Sequence, residues 1–297
     1  MSEEVKHKAG FVSIIGKPNV GKSTLMNLLV GDNLSIITSK AQTTRHRIQG
    51  ILSGENFQLV YSDTPGIIEP KYKLHESMMS FVNHSLQDAD VIIFITDIYE
   101  KHSEEAVIQK INKTDVPVLL LINKIDQTKS QDEINEKIDY WRELINAQEI
   151  IPISAKENFN VEKVFNTILE LTPEHPAYFS KDTLTDKPER FFASEIIREK
   201  IFLQYKKEVP YSCEVRITEF KEEEDIIRMR AEIYVERSSQ KGILIGHKGE
   251  AIKKLGTTAR KDLEEFFGKQ FFLETFVKVD KDWRKEDRKL KKFGYDQ

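Results

Sequence analysis

Short apolar runs alternate with amphipathic stretches through the first half of the chain. Four runs rich in Val, Ile and Leu have the length of a strand, and they occupy residues 11–16, 90–97, 119–126 and 150–155. Strands that are apolar throughout are buried on both faces, and helices between them cover those faces. The pattern therefore predicts an α/β fold built on a mostly parallel sheet.

Two further runs modify this sheet. RIQGILS (47–53) and FQLVYSD (57–63) are separated by three residues that begin with Gly54, which predicts a hairpin and one antiparallel edge strand. The helix that follows residue 24 is predicted to turn Leu25, Leu28 and Leu29 inward and to end at Gly31.

The pattern changes after residue 172. Residues 173–190 contain three prolines and no sustained apolar period, which indicates a linker. Beyond it the periodicity predicts the order α-β-β-α-α-β and a basic C-terminal helix. We therefore predict a first domain over 1–172, a linker over 173–190 and a small α+β domain over 191–297.

Composition narrows the class of protein. The 297 residues are 39% hydrophobic and 32% charged, which is typical of a folded soluble chain. No apolar run approaches the roughly 20 residues that span a bilayer, and the segment MSEEVKHKAG lacks an apolar signal. Cys213 is the single cysteine, so no intramolecular disulfide can form. These features predict a cytoplasmic protein.

Residues 16–24 read GKPNVGKST, between a predicted strand and a predicted helix. This is the phosphate-loop pattern, in which glycines let backbone N–H groups face the phosphates. Lys22 is expected to reach the terminal phosphates, and Ser23 is expected to ligate Mg²⁺. The predicted nucleotide contacts in this loop are Gly16, Lys17, Pro18, Asn19, Val20, Gly21, Lys22, Ser23 and Thr24.

The segment DTPG follows the second strand of the hairpin. Asp63 is placed to hold Mg²⁺, and the N–H of Gly66 can sense a γ-phosphate. Upstream, AQTTRHR offers a hydroxyl ligand, with Thr44 favoured over Thr43. Lys22, Thr44 and Gly66 are the predicted catalytic residues, and the contacts of the DTPG segment are Asp63, Thr64, Pro65, Gly66 and Ile67.

Two segments at later strand ends indicate which base is bound. The Asp126 carboxylate can accept from the ring N–H and the exocyclic amine of guanine, which adenine cannot offer together. Asn123 can bond the base or tie the loops together, and backbone N–H groups near Ser154 can reach the guanine carbonyl. The predicted contacts are Asn123, Lys124, Ile125, Asp126, Ser154, Ala155 and Lys156.

The second domain contains the pattern G-x-x-G at residues 246–249, within a basic stretch. In this order of elements it resembles the clamp of a type II KH domain, which holds the backbone of unpaired nucleic acid. The alternative is a solvated basic helix. The predicted RNA contacts are Ile243, Ile245, Gly246, His247, Lys248, Gly249, Lys253 and Lys254.

The segments GKPNVGKS, QTTR, DTPG, NKID and SAK resemble those of translation-factor-class GTPases, and the downstream domain extends the resemblance to the Era family of bacterial ribosome-assembly GTPases. The resemblance implies a P-loop GTPase domain followed by a KH domain, hydrolysis of GTP to GDP, Mg²⁺ as cofactor, and a monomer. It also implies that nucleotide state controls binding of single-stranded RNA at the 3′ end of the small-subunit rRNA, on the small ribosomal subunit.

Two residues bear on the cofactor and on the rate of GTP hydrolysis that the resemblance implies. In the family resembled, Asn19 can help to hold K⁺, although a turn asparagine is an equal alternative. Ile67 stands where many small GTPases carry a glutamine that positions water, so unassisted hydrolysis is expected to be slow. The basic tail over 281–292 can serve RNA phosphate or a lipid surface. Its thin apolar face favours a solvated helix over membrane anchoring, and peripheral association with the inner membrane face stays open.

Two other functions remain possible from the sequence. The first is a constitutive RNA-binding scaffold whose nucleotide domain is mainly structural. The second is a GTPase subunit of an RNA-modifying complex, although the chain shows no nucleophile or cofactor motif beyond the phosphate loop.

Overall fold

The computed structural model describes residues 6–100 and 105–295, and these form two compact units. The first unit comprises the described residues up to Ser35 together with residues 44–69 and 78–186. The second unit comprises residues 36–43 and 70–77 together with the described residues from Lys187 onward. Residues 1–5 of the segment MSEEVKHKAG, in which no apolar signal was found, lie outside the described residues. Across the described ranges, no helix has both the length and the apolar character needed to cross a bilayer.

The first unit is built on a six-stranded sheet in the order β2-β3-β1-β4-β5-β6. Strands β2 and β3 pair antiparallel, and the other neighbouring pairs are parallel. The apolar runs are thus explained by burial, since every residue of β5 is buried. The predicted mostly parallel sheet and its antiparallel edge hairpin are confirmed. The strands are β1 (Lys8–Ile15), β2 (Ile48–Ser53), β3 (Phe57–Asp63), β4 (Val91–Asp97), β5 (Val118–Asn123) and β6 (Glu149–Pro152).

Five helices of the described residues alternate with these strands or follow them along the chain. They are α1 (Lys22–Val30), α2 (Lys73–Gln87), α3 (Glu105–Ile111), α4 (Gln131–Leu144) and α5 (Val161–Leu171). Helix α1 ends as predicted, because Gly31 adopts φ 82° and donates its N–H to the Asn27 carbonyl at 2.9 Å.

The inward stripe predicted for α1 is wrong at one position. Leu25 and Leu29 are buried, whereas Leu28 is 39% exposed. The other buried residues of α1 are Lys22, Met26, Asn27 and Val30, so the buried face is centred nearer Met26 and leaves residue 28 outside it.

The proline-rich segment after α5 lies against the edge of this sheet. The N–H of Ile51 in β2 donates to the Leu184 carbonyl at 2.8 Å, and Gly50 forms an antiparallel bridge with Thr185. The Oε1 atom of Gln58 accepts the N–H of Tyr178 at 2.8 Å. Residues of the predicted linker up to 186 therefore pack as part of the first unit.

The second unit contains a three-stranded sheet in the order β7-β8-β9, with β7 and β8 antiparallel and β8 and β9 parallel. Helices α6 and α9 pack on this sheet around a core that includes Ile201, Ile233 and Leu255. The predicted order α-β-β-α-α-β is confirmed, with one additional turn of helix, α7, before the first strand. The elements are α6 (Glu189–Gln204), α7 (Val209–Ser212), β7 (Glu214–Glu222), β8 (Ile226–Val235), α8 (Ser238–Ile245), α9 (Glu250–Phe267), β9 (Gln270–Val279) and α10 (Asp287–Lys292).

Residues 36–43 belong to the second unit through contacts with α6 and the turn after it. The Lys40 ammonium donates to the carbonyls of Phe202 and, at 2.5 Å, Tyr205. The buried Arg198 guanidinium donates to the Thr43 carbonyl. One cation of this segment and one cation of α6 thereby connect the segment to the helix.

Residues 70–77 make a second set of contacts within the same unit. The Arg284 guanidinium lies 4.9 Å from the centre of the Tyr72 ring, and the Leu74 N–H donates to the Arg284 carbonyl at 3.0 Å. Arg284 also pairs with Glu236. The sequence did not predict that these two stretches would pack with the C-terminal half.

Candidate functional site

The phosphate loop, residues 16–24, joins the carboxyl end of β1 to α1. A Cβ atom on Gly16 would lie 2.1 Å from the Ile95 carbonyl oxygen. A Cβ atom on Gly21, where φ is 107°, would lie 2.2 Å from the Asn123 amide nitrogen. Neither separation is possible between non-bonded atoms, so the loop can close only with glycine at both positions.

Lys22 lies under this loop and is 6% exposed. Its ammonium donates to the carbonyls of Lys17 at 2.7 Å and Gly16 at 3.1 Å. Burial lowers the pKa of Lys22 to about 8, although the charges of Asp63 and Glu100 oppose this shift. An anion beside the loop would favour the protonated form, so phosphate binding and protonation of Lys22 support each other.

Three oxygen ligands converge next to the loop. The Ser23 hydroxyl donates to Asp63 Oδ2 at 2.7 Å and lies 3.0 Å from the Thr44 hydroxyl. The Thr44 hydroxyl lies 3.4 Å from the same carboxylate oxygen. The Thr43 hydroxyl instead donates to the Lys40 carbonyl at 2.7 Å. The geometry thus favours Thr44 over Thr43 as a metal ligand.

This cluster fits a magnesium ion. The second carboxylate oxygen of Asp63, Oδ1, is buried and has no hydrogen-bond partner among the described residues. Burial raises the pKa of Asp63, and a divalent cation would oppose that shift. Hydroxyl and carboxylate oxygens are the ligands that Mg²⁺ prefers.

The DTPG segment packs directly against the phosphate loop. A Cβ atom on Gly66 would lie 2.6 Å from the Pro18 nitrogen, and the Ile67 N–H donates to the Gly16 carbonyl at 3.0 Å. The Ile67 side chain is buried in the hydrophobic core. Ile67 was predicted as a nucleotide contact, but its side chain faces the core and only its N–H faces the loop. Thr64 likewise donates its hydroxyl to the Ile14 carbonyl at 2.7 Å.

Asn123 connects three loops. Its amide nitrogen donates to the Val20 carbonyl at 2.7 Å, and its amide oxygen accepts the N–H of Ala155 at 2.9 Å. Of the two roles that the sequence left open for Asn123, the structure therefore places it in the one that ties the loops together.

The adjacent residues are arranged around the Asp126 carboxylate. The Ser154 hydroxyl donates to Asp126 Oδ1 at 2.6 Å, which orients an otherwise exposed carboxylate. Lys124 pairs with Asp97 at 2.9 Å across the neighbouring strand end. Lys156 is exposed and pairs with Glu157, while Ile125 packs at the edge of the hydrophobic core. The structure thus brings the NKID and SAK segments together at one edge of the sheet.

Glu100 was not identified from the sequence. Its side chain is 8% exposed and lies 3.3 Å from the Lys17 ammonium of the phosphate loop. The Thr96 hydroxyl donates to its other oxygen at 2.6 Å. Its place after β4, at the sheet edge shared by the other segments, was the signal that could have revealed it.

The G-x-x-G turn joins α8 to α9 and has the backbone of a tight clamp. Gly246 and Gly249 have φ of 73° and 82°, and Lys248 between them has φ of 47°. A Cβ atom on Gly246 would lie 2.6 Å from Ala251 Cβ, whereas one on Gly249 would meet nothing within 4 Å. Gly246 is thus required by packing, and Gly249 by its backbone angle.

The surface beside the turn is apolar and basic. Ile243 is 51% exposed and Ile245 is half-buried, whereas Leu244 between them is buried in the core. Leu244 lies about 100° around the helix from each of these neighbours, so it can face the core while they do not. The side chains of His247, Lys248, Lys253 and Lys254 are all exposed.

Comparison with known proteins gives the class of both units. Residues 11–124 match the family model described as 50S ribosome-binding GTPase, and residues 208–284 match the model of the KH domain. The chain is 44% identical over its full length to the full-length GTPase Era of Geotalea daltonii. It is 42% identical to GTPase Era of Ruminiclostridium cellulolyticum, with 98% of each chain covered.

Solved structures agree with these relatives. A crystal structure of Era in complex with MgGDPNP and nucleotides 1506–1542 of 16S ribosomal RNA has a TM-score of 0.94 and 40% identity, and covers 98% of this chain and 100% of its own. The fold and site therefore define a GTPase that hydrolyses GTP and carries a KH domain. The chain belongs to the Era family of GTPases.

Proposed function

We propose that the KH domain binds single-stranded RNA at the G-x-x-G turn, and that the nucleotide held by the phosphate loop controls this binding. The observation that carries the proposal is the geometry of the turn. Two glycines at positive φ bring backbone to the surface beside exposed Ile243 and exposed lysines. Backbone N–H groups and lysines suit phosphates, and an apolar surface suits unstacked bases.

The RNA that we propose is the 3′ end of small-subunit rRNA, bound on the small ribosomal subunit in the cytoplasm. The support is the related Era structure, which contains nucleotides 1506–1542 of 16S ribosomal RNA and shares 40% identity with this chain. We also retain a monomer as the working state. The proposed parts are a GTP-binding domain over 1–172, a linker over 173–190 whose residues up to 186 pack with the first unit, and an RNA-binding domain over 191–297.

At the nucleotide, each proposed catalytic residue has a separate task. Lys22 places its ammonium beside the terminal phosphates, Gly66 offers its N–H to the γ-phosphate, and Thr44 ligates Mg²⁺ with Ser23 and Asp63. When bound, the metal neutralises charge on the phosphate oxygens. Because the Ile67 side chain is buried in the core and carries no polar atom, water must be positioned by another group, and slow unassisted hydrolysis follows.

Potassium is a further proposed cofactor. Asn19 lies in the phosphate loop with φ of 64°, and its amide oxygen is a suitable ligand for a monovalent cation beside the phosphates. Single-turnover hydrolysis should be faster in K⁺ than in Na⁺ at equal ionic strength. Asn19→Ala should abolish the difference, and equal rates in wild type would remove K⁺ from the proposal.

For the basic tail we propose RNA phosphate rather than lipid as the partner. The apolar residue of α10, Leu290, is buried, so the helix has no exposed apolar side to insert into a bilayer. Its lysines would then add to the electrostatic part of RNA binding.

The test is RNA affinity in each nucleotide state. Filter binding of a single-stranded oligonucleotide would be measured with GDP and with a nonhydrolysable GTP analogue at one salt concentration. We expect different affinities in the two states, and weaker binding of duplex RNA in both. Equal affinities for the single strand would favour the constitutive scaffold.

A further inference from the structure

The C-terminal end of α6 makes hydrogen bonds on both sides of the G-x-x-G turn. The Tyr205 hydroxyl donates to the Leu244 carbonyl at 2.8 Å, two residues before Gly246. The Gln204 amide donates to the Ala251 carbonyl at 2.8 Å, two residues after Gly249. The same amide also donates to the Tyr205 hydroxyl at 3.1 Å. These bonds form one continuous bridge from the end of α8 to the start of α9.

The bridge satisfies a carbonyl that α8 leaves open. Leu244 is in the last turn of α8, where carbonyls have no partner within the helix. The bond from Tyr205 to this carbonyl is buried, and the ring is 6% exposed within the core of the unit. Burial raises the pKa of Tyr205 to about 12, so the hydroxyl remains a donor at neutral pH. Loss of the hydroxyl would leave the carbonyl buried and unpaired.

The end of α6 is itself held by residues 36–43, which belong to the same unit. The Lys40 ammonium donates to the carbonyls of Phe202 and Tyr205, both at the open end of the helix. A cation at this end also complements the helix dipole. Lys40 is four residues before Thr44, the proposed metal ligand.

From these contacts we propose that Gln204 and Tyr205 are positioning residues of the RNA clamp, and that Lys40 makes their position depend on the segment that leads to Thr44. The bridge sets the separation of α8 and α9, and therefore the width of the turn between them. This inference rests on the proposed RNA-binding function and names the residues through which nucleotide state would reach the clamp.

The first test removes single atoms from the bridge. Tyr205→Phe should weaken binding of single-stranded RNA by about three- to tenfold, the range for one lost hydrogen bond, with unchanged GTP hydrolysis. The matched control is Tyr295→Phe, which removes a buried tyrosine hydroxyl that bonds Glu214 at 2.7 Å in the same unit. The control should keep wild-type RNA affinity even if it unfolds at a lower temperature.

A second variant keeps this test decisive if Tyr205→Phe folds poorly. Gln204→Met retains the length of the side chain and loses both donated bonds, and it should also weaken RNA binding. The bridge role is overturned if Gln204→Met binds RNA like wild type, or if the two tyrosine variants lose equal affinity.

The last experiment tests Lys40. It distinguishes a failure of the proposed Lys40 role from a failure of the proposed nucleotide control. In wild type, RNA affinity should differ between GDP and a nonhydrolysable GTP analogue, and Lys40→Met should reduce that difference at least about threefold. An unchanged difference would overturn the role of Lys40. If wild type shows no difference, the proposed nucleotide control fails, while the tyrosine pair still decides the bridge.

Discussion

The lysines of the two glycine-rich turns differ in burial. In the phosphate loop, Lys22 is buried and bonded to two loop carbonyls, and neighbouring atoms leave no room for a Cβ at Gly16 or Gly21. In the clamp, Lys248 is exposed. A Cβ at Gly249 would meet nothing within 4 Å, although one at Gly246 would lie 2.6 Å from Ala251 Cβ. A buried turn fits one ligand of fixed shape, whereas an open turn fits a polymer that enters and leaves from solvent. Substitutions should therefore have larger and more specific effects in the first turn than in the second.

The largest effect is expected from Gly16→Ala. The new Cβ would lie 2.1 Å from the Ile95 carbonyl, so the loop must move, and GTP affinity should fall by more than ~100-fold. Nucleotide titration would measure this. The control is Gly31→Ala, which has φ of 82° but nothing within 4 Å, and it should destabilise the fold by about 1–2 kcal/mol without changing GTP affinity. A Gly16→Ala protein with wild-type affinity would show that the loop is not tightly packed.

The second-largest effect is expected from a change at the residue that we assign to the guanine base. Asp126→Asn replaces one acceptor with a donor that faces a guanine donor, which should cost about 1–3 kcal/mol of GTP binding. Xanthine nucleotide should gain affinity relative to guanine. Asp132→Asn, at an exposed acid in the first turn of α4, controls for the lost charge. Competition binding with both nucleotides is the measurement, and unchanged GTP affinity in Asp126→Asn would remove NKID from the base site.

In the open turn, a change at Gly249 should act mainly on RNA, because a side chain there meets no neighbour and costs only about 1–2 kcal/mol for the positive φ. Gly249→Asp places a carboxylate where RNA phosphate is expected, and single-strand affinity should fall at least about tenfold while GTP binding persists. Gly268→Asp is the matched control, because Gly268 also has positive φ and open space but follows the other end of α9. If both variants bind RNA equally well, the turn is a helix connector.

The smallest expected effect is the loss of one phosphate contact. Lys248→Ala should lower RNA affinity a few-fold for every sequence and reduce the salt slope by about 0.7, the value per phosphate for single strands. Lys269→Ala, in the turn after α9, should leave the slope unchanged. A slope in Lys248→Ala equal to that of wild type would mean that this lysine does not touch phosphate.

The sequence predicted features that depend on local pattern. The apolar runs gave the sheet of the first unit, and the spacing of glycines identified both turns, because periodicity and glycine angles are properties of short stretches. The predicted face of α1 failed at Leu28, since the exact edge of a buried face depends on the packing of Met26 against other elements.

Long-range contacts lay outside what pattern could predict. Three sets of contacts join positions that are far apart in the chain: the bridge of Gln204 and Tyr205, the Lys40 contacts, and the packing of residues 184–186 along β2. The residue types of Lys40 and Tyr205 do not indicate which distant residues they contact. The sequence favoured Thr44 over Thr43, and the geometric reason is the position of Asp63, whose carboxylate lies near the Thr44 hydroxyl while the Thr43 hydroxyl bonds the Lys40 carbonyl.

The central claim is that nucleotide and RNA binding are coupled, and linkage provides its most direct test. If the nucleotide changes RNA affinity by some factor, RNA must change the ratio of GTP-analogue to GDP affinity by the same factor. Titration of both nucleotides, with and without saturating single-stranded RNA, measures that ratio. The account predicts a shift equal to the one seen in RNA binding, and an unchanged ratio would contradict it.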